Sequence, residues 1–310
     1  MGVVVALFVR VIVREPLRQT SIVRSAQPEQ VGAHIAKPGL TRKMRYTVAD
    51  LKATIAYLLR MRSFWLLTLS ASFRQLAGNV FGYYMPTYLS TLYPSYTNIL
   101  SRYGIIVGVV GSVTVQLGGF LTSAFWHRTK ILPLYLTAIG GMISSVFVLL
   151  MLFSRNISGG SESKGIPILY GTMSAAYLTA ELWLGAINSL IALLLPPRYK
   201  TFGLAIWATT QVLIYSSGPE IVGLALRKVE SGSSQYLIDT RIALAVIIPV
   251  GYWFAGIGFL SSLPRVKQDL MGSFVVGRLS PQRRLSFIVF AIVLALLVII
   301  LFVVSIVYRD

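Results

Sequence analysis

The chain has 310 residues, 55% of them apolar and only 12% charged, against about 25% charged residues in a soluble domain. That excludes a water-facing globule. Lys and Arg number 28 against 10 Asp and Glu, for a formal charge of +18. Cysteine is absent and histidine occurs twice, which excludes disulfide frameworks, thiolate metal sites and cysteine nucleophiles.

A membrane-crossing helix needs about 20 mostly apolar residues. The first apolar stretch, within residues 1–13, is too short to span alone and carries Arg10 near its end, so it reads as the last half of a helix whose beginning is missing. No basic residue precedes it and no small-x-small site follows it, which argues against a secretory signal. Ala6 stands where a myristoylation signal needs Ser or Thr. Residues 14–63 form a long basic loop whose early part mixes Ser, Gln, Pro and Gly. Its end changes character. Thr47 and Asp50 resemble a capping box, and Val48, Leu51, Ile55 and Leu58 recur at helical spacing, predicting an amphipathic interfacial helix over about residues 47–62. A plain extension of the next span is the alternative.

Seven full-length apolar runs follow: Phe64 to Leu92, Tyr103 to Trp126, Ile131 to Phe153, Ile166 to Leu195, Phe202 to Leu226, Ile242 to Leu263 and Leu285 to Tyr308. A backbone in hydrocarbon satisfies itself only as helix or closed barrel, and no period of two is sustained, so the spans are helices. The expected organisation is a partial helix (1–13), the basic loop (14–63), a six-helix bundle (64–263), a linker (264–284) and an additional helix (285–308).

Charge sets the orientation. With the basic loop inside, alternation puts 19 Lys and Arg on that side and seven on the other, the bias of a positive-inside topology. The basic excess is therefore topogenic, and no nucleic-acid module is visible. Asn156-Ile157-Ser158, a glycosylation sequon, falls on the side assigned outside. A seven-span receptor would begin outside, which this bias contradicts.

Three charges lie inside spans: Arg74, Glu181 and Glu220. Counting about 1.5 Å per residue from the inner ends puts Arg74 roughly 15 Å and Glu181 roughly 21 Å deep. Both reach the midplane region, so they are read as partners, directly or through a substrate, against the alternative that each finds other polar groups. Glu220 reads as a rim carboxylate. Asn79, Gln116, Asn188 and Gln211, with Tyr83, Tyr84, Tyr177 and Tyr215, either line a shared polar cavity or hold helices together. Gly104, Gly108 and Gly111, and again Gly118 and Gly119, are spaced for close helix approach. His34 lies in the basic loop and His127 at a helix end beside Arg128. No carboxylate pair, metal-ligand spacing, nucleophile elbow or phosphate loop appears, so neither catalysis nor a cofactor is expected.

These residues carry a resemblance. A half helix ending in Arg14-Glu15-Pro16-x-Arg18, a basic loop and six spans resemble the second half of a major facilitator superfamily transporter, starting in its sixth helix. Ala180-Glu181-Leu182-Trp183-x-Gly185, Leu195-Pro196-Pro197-Arg198, Ser217-Gly218-Pro219-x-Ile221-x-Gly223 and Gly82-Tyr83-Tyr84-Met85-Pro86-x-Tyr88-Leu89 are similar to the spinster-like branch. The likeness covers about residues 1 to 265. It departs at the superfamily's inner-face motif, where Gly118, Gly119, Arg128 and Lys130 are present but Ser123 replaces the aspartate.

The resemblance implies two inverted three-helix repeats, Phe64 to Phe153 and Ile166 to Leu263, rocking to move a small organic or lipid-like solute by alternating access, with proton coupling. It also implies a partner for the cavity-facing side: the missing N-terminal half, or a second copy. Substrate or coupling roles would fall to Arg74, Asn79, Tyr83, Glu181, Asn188 and Gln211, and gating or packing to Gly118, Gly119, Arg128, Gly218 and Pro219. The expected protein is an all-helical, multi-pass integral membrane protein of the plasma or endolysosomal membrane, surrounded by lipid and binding no nucleic acid. A non-transporting membrane scaffold is the alternative. A tag inserted at residue 160 should be labelled on intact cells and one at residue 35 should not; reversed labelling would sink the orientation.

Overall fold

A computed structural model describes residues 51–227, 233–271 and Val289. The partial helix at 1–13, the Thr47–Asp50 cap and the additional helix at 285–308 lie outside these residues. Every described element is helical: α1 (51–60), α2 (Arg62–Leu92), α3 (Ile99–Ile105), a π-helical turn at Ile106–Gly111, α4 (Ser112–Phe125), α5 (Leu132–Leu152), α6 (Ser154–Ile157), α7 (Glu162–Ala180), α8 (Leu182–Leu194), α9 (Lys200–Tyr215), α10 (Ser217–Leu226) and α11 (Ser234–Leu270).

Among the described residues four stretches are long and apolar enough to cross a membrane: Ile99–Phe125, Leu132–Leu152, Glu162–Leu194 and Ser234–Leu270. The chain is thus a multi-pass helical membrane protein. The expected spans at Phe64 to Leu92 and Phe202 to Leu226 are helical as well but are not among those four. Ser, Thr, Arg74, Gln75 and Asn79 dilute the first, and a break at Ser216 divides the second.

α2 is the central post. It packs along α11, α9 and α10, while α5 packs against α11, α7 and α8, and α4 lies along α8. Its buried residues fall on successive turns, from Phe64 and Leu67 through Ala71, Arg74 and Ala77 to Tyr84, Tyr88 and Leu92. Two apolar clusters form around it. Val80, Met85, Leu89, Leu169, Met173 and Ile248 belong to one, and Phe64, Leu67, Ile187, Leu190, Ile191 and Phe259 to the other.

Close approach depends on glycine. A side chain at Gly118 would run into the Leu182 backbone, and one at Gly185 into the Val115 carbonyl and the Gly119 backbone, so α4 and α8 touch main chain to main chain. The other expected glycine face is different. Gly104 and Gly108 are exposed with nothing near them, and only Gly111 meets a neighbour, the Tyr177 ring. The π-helical turn at Ile106–Gly111 shifts the register, which takes these residues off a single stripe.

The helix before the bundle is present but turned. Thr54, Leu58 and Met61 are buried and Ile55 is 41% exposed, so the buried stripe runs through 54, 58 and 61 instead of 51, 55 and 58. Packing explains the rotation. Leu58 and Met61 join the cluster of Phe64 and Val266, and Tyr57 stacks on Tyr199 with ring centroids 4.7 Å apart. Burial lifts the Tyr57 phenol above its ordinary pKa, with the Asp269 carboxylate adding to the effect.

α11 also outruns its expected limits, beginning eight residues before Ile242 and continuing through Pro264 to Leu270. Residues 264–270 are therefore helical where the start of a linker is expected. Val266 is buried and the Ser63 hydroxyl donates to the Asp269 carboxylate, fastening the end of α11 to the start of α2.

Gly118→Val should lower the unfolding midpoint of the detergent-solubilised chain, because overpacking costs about 1–3 kcal/mol and the opposing atoms here are backbone. Gly119→Ala, which meets nothing within 4 Å, should not.

Candidate functional site

The two apolar clusters meet at Arg74. Its side chain is 2% exposed, yet among the described residues no carboxylate forms a salt bridge with it. It lies instead over the Tyr252 ring of α11, guanidinium carbon to centroid 3.7 Å, with Trp183 of α8 at 5.6 Å. Cation–π contact of this kind offsets part of the cost of burying a charge.

The single backbone partner is informative. Arg74 Nη2 donates to the Ala180 carbonyl at 2.8 Å. In an unbroken helix that carbonyl would accept from the N–H of Leu184, but Leu184 N–H bonds to Glu181 O at 3.4 Å, because the helix stops at Ala180 and restarts at Leu182. The break frees an acceptor and the buried arginine takes it. Arg74 Nε has no hydrogen-bond partner among the described residues.

Beside this group lies a small, partly open cleft lined by Gly78 and Phe81 of α2, Ser144 and Val148 of α5, Ala176, Tyr177 and Ala180 of α7, Glu181 at the break, and Tyr252. Ser144 Oγ donates to the Ala176 carbonyl at 3.1 Å, and Tyr177 meets Phe81 edge-on at 5.9 Å between ring centroids. The cleft thus has apolar walls, one carboxylate and several hydroxyls, with a guanidinium behind the wall formed by Gly78, Ala180 and Tyr252. Such a lining sets a carboxylate and hydroxyls against apolar surface, so it can meet a polar group and an apolar one side by side. Among the described residues no His, Cys, Asp and Glu gather as a metal would require.

Arg74 and Glu181 are brought to one place, at opposite sides of the same helix break, without a direct ion pair. The other residues singled out in the sequence go elsewhere. Asn79 Nδ2 donates to the Tyr215 carbonyl at 3.2 Å, and Gln211 Nε2 reaches the Trp207 carbonyl of its own helix at 3.5 Å. Tyr83 is 67% exposed, and Asn188 and Gln116 are exposed too. Glu220 is exposed as well, Arg128 stands exposed in the turn after α4, and Ser123 is also at the surface. Gly218 is packed so closely on α2 that a side chain there would stand 2.8 Å from Val80 Cγ2, and the Pro219 carbonyl accepts from the Tyr84 hydroxyl at 2.9 Å. Asn156 is exposed, its Oδ1 accepting from Arg241 Nη1 at 2.8 Å.

Sequence reasoning passed over Tyr252 and Ser144. The available signals were a tyrosine following Gly251 within an apolar run, and two adjacent serines, Ser144 and Ser145, in the middle of another.

No protein-family model and no curated protein matches the chain. Solved structures do. A bacterial homologue of the human lysosomal transporter Spinster, in an inward-facing and unoccupied conformation, superposes with a TM-score of 0.55 and 17% identity, covering 90% of this chain and 58% of that one. The occupied, inward-facing form of such a homologue gives a TM-score of 0.48 and 16% identity, covering 71% of this chain and 51% of that one. The chain therefore shares the fold of the first of these structures, over a little more than half of that structure's length.

Because no ion pair joins Arg74 to Glu181, Arg74→Met and Glu181→Gln should couple by less than about 1 kcal/mol in a double-mutant stability cycle without ligand. Breaking a buried ion pair would instead cost about 3–5 kcal/mol. Unfolding midpoints of the wild type, both single variants and the double variant in detergent decide between the two.

Proposed function

We propose that this chain forms half of a secondary active transporter that moves a small organic or lipid-like solute across a membrane by alternating access. The observation that carries the reading is Arg74: a guanidinium 2% exposed, with no salt bridge among the described residues, set beside a cleft at a helix break. A buried charge of this kind is costly to keep, and in membrane helices such residues commonly mark solute and ion pathways. Discontinuous helices are where transporters build such sites. The likeness in fold to a solved transporter supports the same reading.

In this mechanism the solute's charged end approaches Arg74 and Glu181 while its apolar part lies along Phe81, Val148 and Tyr252. Glu181, the one carboxylate among the lining residues, carries the coupling proton. The opposite wall of the pathway comes from a complementary bundle, either a further half of the same transporter or a second copy of this chain. The polar residues Gln116, Tyr83 and Asn188, exposed on membrane-spanning helices, support a partner of that kind.

Flux of labelled single-chain lipids and organic acids into proteoliposomes under an imposed pH gradient tests the proposal. The chain alone should be inactive, and co-assembly with a complementary six-helix half should give uptake. Arg74→Ala should reduce that uptake at least tenfold, and Glu181→Gln should remove its dependence on the gradient. Transport by the isolated monomer would overturn the half-transporter reading, and no uptake in any assembly would leave the scaffold reading in its place.

A further inference from the structure

The second break in the bundle has its own chemistry, separate from the cleft. α9 ends at Tyr215 and α10 begins at Ser217, with Pro219 in the first turn of α10. Proline has no backbone N–H. In a continuous helix the Tyr215 carbonyl would accept from the N–H four residues on, and that position is Pro219. The carbonyl is therefore orphaned by sequence, in a place where no water is guaranteed to replace the bond.

Asn79 supplies the missing donor. Its Nδ2 reaches the Tyr215 carbonyl at 3.2 Å, from the neighbouring helix α2. Two neighbouring contacts make this reach possible. At Gly218 the absence of a side chain lets α10 lie against Val80 and Leu76 of α2, and one turn beyond Asn79 the Tyr84 hydroxyl donates to the Pro219 carbonyl at 2.9 Å. The local bonds at the break are short-range: Ser217 Oγ bonds to Ile214 O at 2.7 Å and Ser216 N–H to Val212 O at 3.1 Å.

We propose that Asn79 is a positioning residue that substitutes its amide N–H for the one absent at Pro219, and that the joint it closes is a hinge on which Ser217–Leu226 swings from α2. Asn79 then does not belong to the solute's binding surface. It sets how often α10 is held against α2. The consequence for transport rests on the function proposed above, whereas the hinge itself does not.

The chain contains no cysteine, so paired labels introduced by Ser90→Cys and Leu224→Cys, both at exposed positions, report the separation of α2 from α10 by electron–electron double resonance in nanodiscs. With native Asn79 the distance distribution should be narrow. Asn79→Leu keeps the side chain's size and removes the donor; it should raise the population of longer distances roughly five- to tenfold, the effect of losing about one hydrogen bond. Pro219→Ala restores the backbone N–H to Tyr215, so Asn79→Leu combined with Pro219→Ala should return to the narrow distribution.

A side chain that merely filled space would show no such rescue. If Asn79→Leu alone does not assemble, Pro219→Ala with and without Asn79→Leu are compared, and the two should be indistinguishable. An unchanged distribution in Asn79→Leu, or a broad one in the double variant, overturns the proposal. Absence of solute flux in the wild type would defeat the transporter reading and leave these distances unaffected.

Discussion

A backbone carbonyl in hydrocarbon has no water to accept from, so every interruption of a spanning helix must be met by another donor. The bundle answers this constraint largely from one helix. α2 sends Arg74 to the Ala180 carbonyl, Asn79 to Tyr215, Tyr84 to Pro219 and Tyr88 to Leu152. This is why the most enclosed helix is not among the most apolar ones. These four polar residues complete the hydrogen bonding of its neighbours. Breaks at Glu181 and Ser216 are tolerable because α2 is there to satisfy them.

The reach of those side chains depends in turn on how near the backbones come. A side chain at Gly218 would crowd Val80, and one at Gly251 would stand 2.8 Å from the Ala77 Cβ. These contacts draw α10 and α11 onto α2. Gly118 and Gly185 do the same for α4 and α8 on the other side of the bundle. Without a hydrophobic drive between helices in lipid, small residues and interhelical hydrogen bonds are the forces left to assemble a bundle, and here the two are interleaved along the same seams.

Much of this was legible before any coordinates. Apolar run lengths located the helices, and depth counting brought Arg74 and Glu181 to one level of the bundle because rise per residue is nearly invariant. Their relationship was not legible. Pairing by charge is the natural expectation for two buried ions, but the break at Glu181 offers a carbonyl that periodicity cannot announce. Tyr252 was hidden for a similar reason: a tyrosine among apolar residues looks like packing until a guanidinium is found on its face. Polarity leaves Asn79 open between cavity lining and helix-to-helix bonding, because the carbonyl it meets is freed by a proline 140 positions away. The buried stripe of α1 falls three residues further along than its spacing suggests, because the neighbour it meets is the protein, through Leu58, Met61 and Tyr57, and not lipid headgroups alone.

At 37 residues, α11 is about 55 Å long at about 1.5 Å per residue, nearly twice the hydrocarbon thickness of about 30 Å. It cannot lie wholly within the apolar layer even when tilted. Its ends, with Asp239 and Arg241 at one and Arg265, Lys267 and Asp269 at the other, are polar enough to stand outside. One continuous rod thus joins the space beyond one membrane face to the ring that covers Arg74, since Tyr252 lies about 27 Å along the helix from Leu270. A shift of the helix end at Leu270 is therefore carried along one element to Tyr252, with Pro264 removing one backbone donor between them. The Ser63–Asp269 bond ties that end to the first turn of α2.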